Sequence, residues 1–216
     1  MIQKYTLFSI LMFITSLNLV AQECGSTQFR IFAGPEFNGV LSGQDKVMRG
    51  MRIGFGAGID MSKFLSCNVA FATGLTYNYA PFEMWTNKDA EGYQYQMNRS
   101  HVLEIPLGIK YMTDQNSKST SYYFGLSYIN ALALSSEMKK TKEEKPTAFD
   151  MKYAEGTYML YNPGVKIELG LMNKFDGDNA FTVSVFFKSI FHNYFSGTES
   201  DKLTTFGTGL NVGYVF

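Results

Sequence analysis

The sequence predicts an all-β fold: an eight-stranded antiparallel up-and-down transmembrane β-barrel behind a cleaved N-terminal signal peptide. Three observations predict it. Apolar residues alternate with period two through most of the 216-residue chain, which is the strand signature. The second face of those strands is small and polar, where a soluble sheet would carry Lys and Glu. The connections alternate long and short, as in barrels with loops on one side of a membrane and tight turns on the other.

The N-terminus comes first. Met1 to Lys4 is a short basic start, and Leu7 to Val20 is an apolar run followed by the small residue Ala21. That is the layout of a secretory signal, with cleavage expected after Ala21. The run is too short for a helical span, which needs roughly 20 apolar residues. Residues 1–21 are therefore read as signal peptide and residues 22–216 as the barrel domain.

The strands follow in order, the first over Gln28–Phe37. In Met51–Met61 one face carries Ile53, Phe55, Ala57 and Ile59, and the other Gly54, Gly56, Gly58 and Asp60. Asn68–Tyr79 sets Val69, Phe71, Leu75 and Tyr77 against Ala70, Ala72, Gly74 and Thr76. Val102–Met112 sets Leu103, Ile105, Leu107 and Ile109 against Glu104, Pro106, Gly108 and Lys110. Tyr122–Leu134, Met159–Leu171 and Phe181–Phe191 alternate less cleanly. The last strand opposes Phe206, Leu210, Val212, Tyr214 and Phe216 to glycines and Asn211. Each is near or above the 9–11 residues a tilted strand needs to cross a bilayer. Gly, Ser, Thr and Asn suit the narrow interior of an eight-stranded barrel, so the apolar face is expected to meet lipid. Phe37, Tyr79, Tyr111, Tyr122, Phe191 and Tyr214 fall near strand ends, where aromatic girdles form.

Asn38–Gly50, Ala80–Ser100, Ser135–Thr157 and His192–Thr204 are the long connections. Ser62–Cys67, Thr113–Ser119 and Met172–Asn179 are the short ones. An even strand number then puts both termini on the short-turn, periplasmic side and the long loops outside the cell.

Composition excludes several functions. Lys+Arg 19 balances Asp+Glu 19, which argues against nucleic-acid binding. Two cysteines and two histidines leave little for a metal centre or acid–base chemistry, and no cofactor is expected. Alternation points Arg30, Arg52, Lys110, Lys166 and Lys188 inward, with Glu36, Asp60, Glu104 and Glu168. Unpaired, such charges cost too much to bury, so they are expected to form a network that plugs the lumen. Selectivity for an ion path and a buried catalytic carboxylate are the alternatives. His101 and His192, with Ser100, Ser196, Glu199 and Asp201, offer rim candidates for catalysis but no motif of fixed spacing. The run Lys139–Lys145 reads as a solvated loop tip, with contact to lipopolysaccharide phosphates or a partner protein as the alternative. Phe82, Trp85, Tyr93, Tyr95, Phe149, Tyr194 and Phe195 offer an aromatic binding surface. Cys24 and Cys67 fall at the same, oxidising edge, where the segment before the first strand can bring them into disulfide range.

Leu103–Tyr111 (LEIPLGIKY) resembles the fourth strand of the PorT-like outer-membrane β-barrel family of Bacteroidetes. Gly54–Leu65 (GFGAGIDMSKFL) is similar to that family's second strand and turn, and Asn68–Tyr79 to its third. The resemblance implies a small barrel of the OmpA/OmpX type, in a Gram-negative outer membrane. Tyr214-Val215-Phe216 resembles the C-terminal signal read by the barrel-assembly machinery, with Tyr214 and Phe216 as its aromatics. The expected function is non-enzymatic: a structural or accessory subunit of an envelope complex for secretion, assembly or transport. Outer-membrane lipids, lipopolysaccharide and a larger outer-membrane complex are the expected partners. A small-solute channel is the alternative, and a lipid- or peptide-modifying enzyme a third.

Overall fold

A computed structural model describes residues 25–41, 48–85, 95–113, 120–141, 161–176, 179–196 and 199–216. They form β1 (Thr27–Leu41), β2 (Met48–Gly50), β3 (Arg52–Phe64), β4 (Val69–Trp85), β5 (Tyr95–Met112), β6 (Thr120–Thr141), β7 (Tyr161–Asp176), β8 (Asn179–Ser196) and β9 (Glu199–Val215). Each long strand pairs antiparallel with its neighbours. The β1–β9 and β4–β5 pairings complete the ring, so the sheet closes with eight strands and no free edge. Closure is what a spanning sheet requires, because an unpaired backbone in hydrocarbon costs several kcal/mol per group. The three-residue β2 pairs with the far end of β4 and prolongs the β3 side of that wall.

The strands are longer than alternation alone locates. β6 spans 22 residues, about 75 Å at 3.4 Å per residue, against an apolar band of about 25 Å. The last long connection, His192–Thr204, is a correction. β8 and β9 pair as far as Ser196↔Glu199, so that segment is a hairpin extension of the wall. Above the band both faces of a strand are wet and period-two contrast fades, while the hydrogen-bond ladder continues.

The wall is apolar on its outside. Ile31, Ile53, Leu75, Ile109, Leu126, Leu169, Val185 and Leu210 are all exposed, one from each of the eight long strands. An apolar surface that runs round the whole circumference is the reverse of a soluble barrel. Near the terminal end, rings of four strands form a chain: Phe29–Phe216 (6.1 Å), Phe216–Tyr214 (6.3 Å), Tyr214–Phe181 (5.8 Å) and Phe181–Phe175 (5.0 Å). Tyr214 and Phe216 thus stand at the band's edge. A second aromatic set, Phe55, Tyr77, Tyr79 and His101, lies toward the loop end.

Prolines interrupt the wall, because they lack the N–H a ladder needs. Between β1 and β9 the pairs run to Ala33↔Val212 and resume at Glu36↔Gly209, skipping Pro35. Between β4 and β5 they run to Thr73↔Leu107 and resume at Thr76↔Glu104, skipping Pro106.

Candidate functional site

The charged lumen is where the chain concentrates its chemistry, and it is organised in layers. The floor, at the terminal end, is apolar: Phe64, Ala70, Met112, Met172, Ala180 and Val215 pack together with Tyr123 and are almost fully buried.

Above the floor lies the first charge layer. Arg30, on β1, is 3% exposed. Its Nε and Nη2 donate to Asp60 Oδ2 (2.8 and 2.5 Å), and its Nη1 to Glu168 Oε1 (2.8 Å) and the Tyr123 hydroxyl (2.5 Å). Tyr123 and Ser184 also donate to Glu168 Oε1, at 3.1 and 2.7 Å. Lys166 reaches Glu168 Oε2 at 3.1 Å. Lys110 donates to Ser62 Oγ at 2.9 Å and lies 3.9 Å from Asp60 Oδ1. The forked guanidinium answers two carboxylates from different strands, which is what Arg does better than Lys.

An aromatic septum follows. Phe32 (β1) and Phe186 (β8), each 7% exposed, turn their rings into the lumen. Lys166 Nζ lies 5.6 and 5.0 Å from their centroids, within cation–π range. Gly209 makes room, since a Cβ there would stand 3.0 Å from the Phe186 ring.

The second charge layer sits beyond the septum. Lys188 (β8) donates to Glu104 Oε1 at 2.6 Å and pairs with Glu36 Oε2 at 2.9 Å. All three are at most 5% exposed. Gly207 is needed beside them: a Cβ there would meet Glu36 Oε1 at 2.4 Å and Lys188 Cε at 2.8 Å. Asn38, Asn162, Ser100, Ile190 and Phe82 then line the approach from the loop end.

Four cations (Arg30, Lys110, Lys166, Lys188) therefore face four carboxylates (Glu36, Asp60, Glu104, Glu168) in the body of the lumen. Arg52 is the exception. It has the inward register, but its side chain is 43% exposed and pairs with Glu83 at 2.6 Å near the loop end. Tyr123, Ser184, Ser62 and the two phenylalanines escaped the charge-based reading, because uncharged inward residues carry no signal beyond parity.

Among the described residues the lumen holds small cavities. One cavity of about 30 Å³ lies on the loop side at Lys188. A second of about 30 Å³ lies in the first charge layer, and a third of about 10 Å³ lies just above the floor. The larger two hold about two waters each.

His101 is on the outer face, hydrogen-bonded through Nδ1 to the Tyr77 hydroxyl at 2.6 Å, not beside Ser100 in the lumen. The side chains of His192, Ser196, Glu199 and Asp201 lie outside the described ones. So do Tyr93, Phe149, most of Lys139–Lys145 and the side chains of Trp85, Tyr95, Tyr194 and Phe195. Phe82 is only 3% exposed and faces the lumen, so it is no part of a surface patch. Cys67 is disulfide-bonded, and Cys24 lies outside the described residues. Among the described residues no group of three or more His, Cys, Asp or Glu is placed to hold a metal ion.

No family model matches the chain, and no curated protein matches it. Solved structures do match, among them three at low identity. Neisserial surface protein A shares 12% identity over 87% of this chain and 95% of its own, with a TM-score of 0.46. OprG from Pseudomonas aeruginosa shares 13% over 89% and 97%, with a TM-score of 0.43. The outer membrane protein AlkL, solved in DMPC bilayers, shares 15% over 91% and 92%, with a TM-score of 0.41.

Proposed function

We infer that this chain is a non-enzymatic integral outer-membrane β-barrel of a Gram-negative bacterium, and a structural or accessory subunit of an envelope complex. The carrying observation is the inversion of polarity. The circumference is apolar, while the lumen is filled by paired charges, an aromatic septum and an apolar floor. The inward charges are engaged with one another and hold the wall in shape. The outer wall and the loops are then the surfaces left for partners.

The sequence resemblance to PorT-like barrels supports the same reading. The N-terminal layout ending at Ala21 supports a signal peptide, the alternating connection lengths support periplasmic termini, and Tyr214 and Phe216 resemble the mark read by the barrel-assembly machinery. A contact of Lys139–Lys145, whose first three residues end β6, with lipopolysaccharide phosphates belongs to the same reading. Native co-purification from outer membranes tests the subunit role. A stoichiometric larger membrane partner supports it, and a chain that elutes alone at every mild detergent condition contradicts it. Orientation has its own test: a cysteine placed within Lys139–Lys145 should label in intact cells, and one in the Ser62–Ser66 turn should not.

The cavities stacked along the lumen favour a second reading, a small-solute channel. Phe32 and Phe186 stand between them and favour the first.

A further inference from the structure

We propose that the Pro106 interruption in the β4–β5 wall is a lateral port for the anionic head of an acyl-chain amphiphile. The carboxylate of a fatty-acid-like molecule reaches Lys110 from the lipid phase while its chain stays among the lipids. This rests on the membrane-barrel reading above.

Four observations converge on that place. First, the ladder skips Gly74, Leu75, Ile105 and Pro106 between pairs that are intact on either side. Second, the 30 Å³ cavity of the first charge layer reaches into this wall. Its lining includes Lys110 and Lys166 from the lumen, Pro106 itself, and Thr73 and Ile109 from the outer face. The Pro35 interruption differs, because there the Leu210 carbonyl oxygen closes on Gly34: a Cβ on Gly34 would stand 1.7 Å from it.

Third, the charge behind the gap is unequal. Arg30, Lys110 and Lys166 face only Asp60 and Glu168. Arg30 and Lys166 lie within 3.1 Å of a carboxylate oxygen. Lys110 is 3.9 Å from its nearest one and spends a proton on the neutral Ser62 hydroxyl. Lys110 also lies 5.0 Å from the Tyr123 ring, but with its nearest carboxylate oxygen 3.9 Å away its ammonium retains donor capacity for an anion. Fourth, the buried Phe32 and Phe186 rings stand on the loop side of this cavity and the apolar floor on its terminal side. The wall offers an approach that crosses neither, and Leu75, Leu107 and Ile109 make its outer margin apolar. Room for about two waters is room for a carboxylate, so the chain must lie outside.

The test uses full-length protein in phosphatidylcholine vesicles, with palmitic acid spin-labelled near the chain end and its methyl ester. Electron paramagnetic resonance reads the motionally restricted fraction of each. The acid should be retained several-fold over the ester, and a large excess of acetate should leave that preference unchanged. Lys110→Gln should bring acid and ester to parity. Ile109→Trp, which leaves the charge cluster intact and blocks the outer margin, should do the same. Pro106→Val, which restores the N–H, should also abolish the preference. Equal retention in the unmodified protein, or a preference that survives Lys110→Gln and Ile109→Trp, overturns the port. Displacement by acetate overturns the lipid-phase source. Protease-resistant insertion is scored in the same samples. Inserted protein without acid preference refutes the port alone, whereas protein that fails to insert refutes the barrel reading beneath it.

Discussion

Removing the Lys188 ammonium isolates what the second charge layer contributes. Lys188 is 3% exposed and is the cation between Glu36 and Glu104, at 2.9 and 2.6 Å. Lys188→Met keeps the length of the apolar stem, so little packing is lost, but it leaves two buried carboxylates facing each other. Breaking a buried pair by deleting one partner costs about 3–5 kcal/mol. With a urea slope of about 2 kcal/mol/M, the unfolding midpoint in detergent micelles should fall by about 2 M. The triple variant Lys188→Met, Glu36→Gln, Glu104→Gln removes charge from both sides, and should recover most of that loss, because neutral replacement of a whole buried network is often tolerated. Arg52→Met is the control. Its pair with Glu83 involves a side chain that is 43% exposed, and such pairs contribute at most about 1 kcal/mol. The reasoning is refuted if Lys188→Met unfolds with the unmodified protein, or if the triple variant is no more stable than the single one.

Further expectations follow from the wall, the septum and the edge. Leu169→Arg, at an outward position of β7 that is 53% exposed, should lower stability in bilayers by about 2–4 kcal/mol; an effect confined to aqueous detergent would contradict a lipid-facing wall. In planar bilayers the protein should show no steady porin-like step, because Phe32 and Phe186 block the path, and a stable large conductance would restore the channel reading. Non-reducing peptide mapping should return a linked Cys24–Cys67 pair, and full alkylation of both thiols without reductant would exclude it.

Much of this architecture was legible because the strand period is two and the two faces of a barrel wall differ in kind. Parity alone placed Arg30, Glu36, Asp60, Glu104, Lys110, Lys166, Glu168 and Lys188 on the inner face. It misjudged Arg52, because parity gives direction and not depth: two residues before Gly54, the chain has already risen toward the open end. Phe32, Phe82 and Phe186 show the reverse limit. Residue type marks Phe82 as a surface aromatic and gives no inward signal for Phe32 or Phe186, yet all three turn inward, and Phe186 does so over Gly209, a glycine on the neighbouring strand. Such vacancies depend on cross-strand register, which no single segment reveals. The proline interruptions were equally hidden. Pro106 was visible in the chain, but the bond it withholds belongs to a strand thirty residues earlier.

The most direct test of the inverted barrel is the environment of β8 side chains in vesicles. Nitroxides placed singly at Val183, Val185 and Phe187, which are 49%, 50% and 45% exposed, can be probed with oxygen, which concentrates in lipid, and with a water-soluble nickel chelate. The account predicts high oxygen and low nickel accessibility at all three. High nickel accessibility at these positions in the folded protein would mean that the apolar wall faces water or a protein partner's wet surface, and would contradict it.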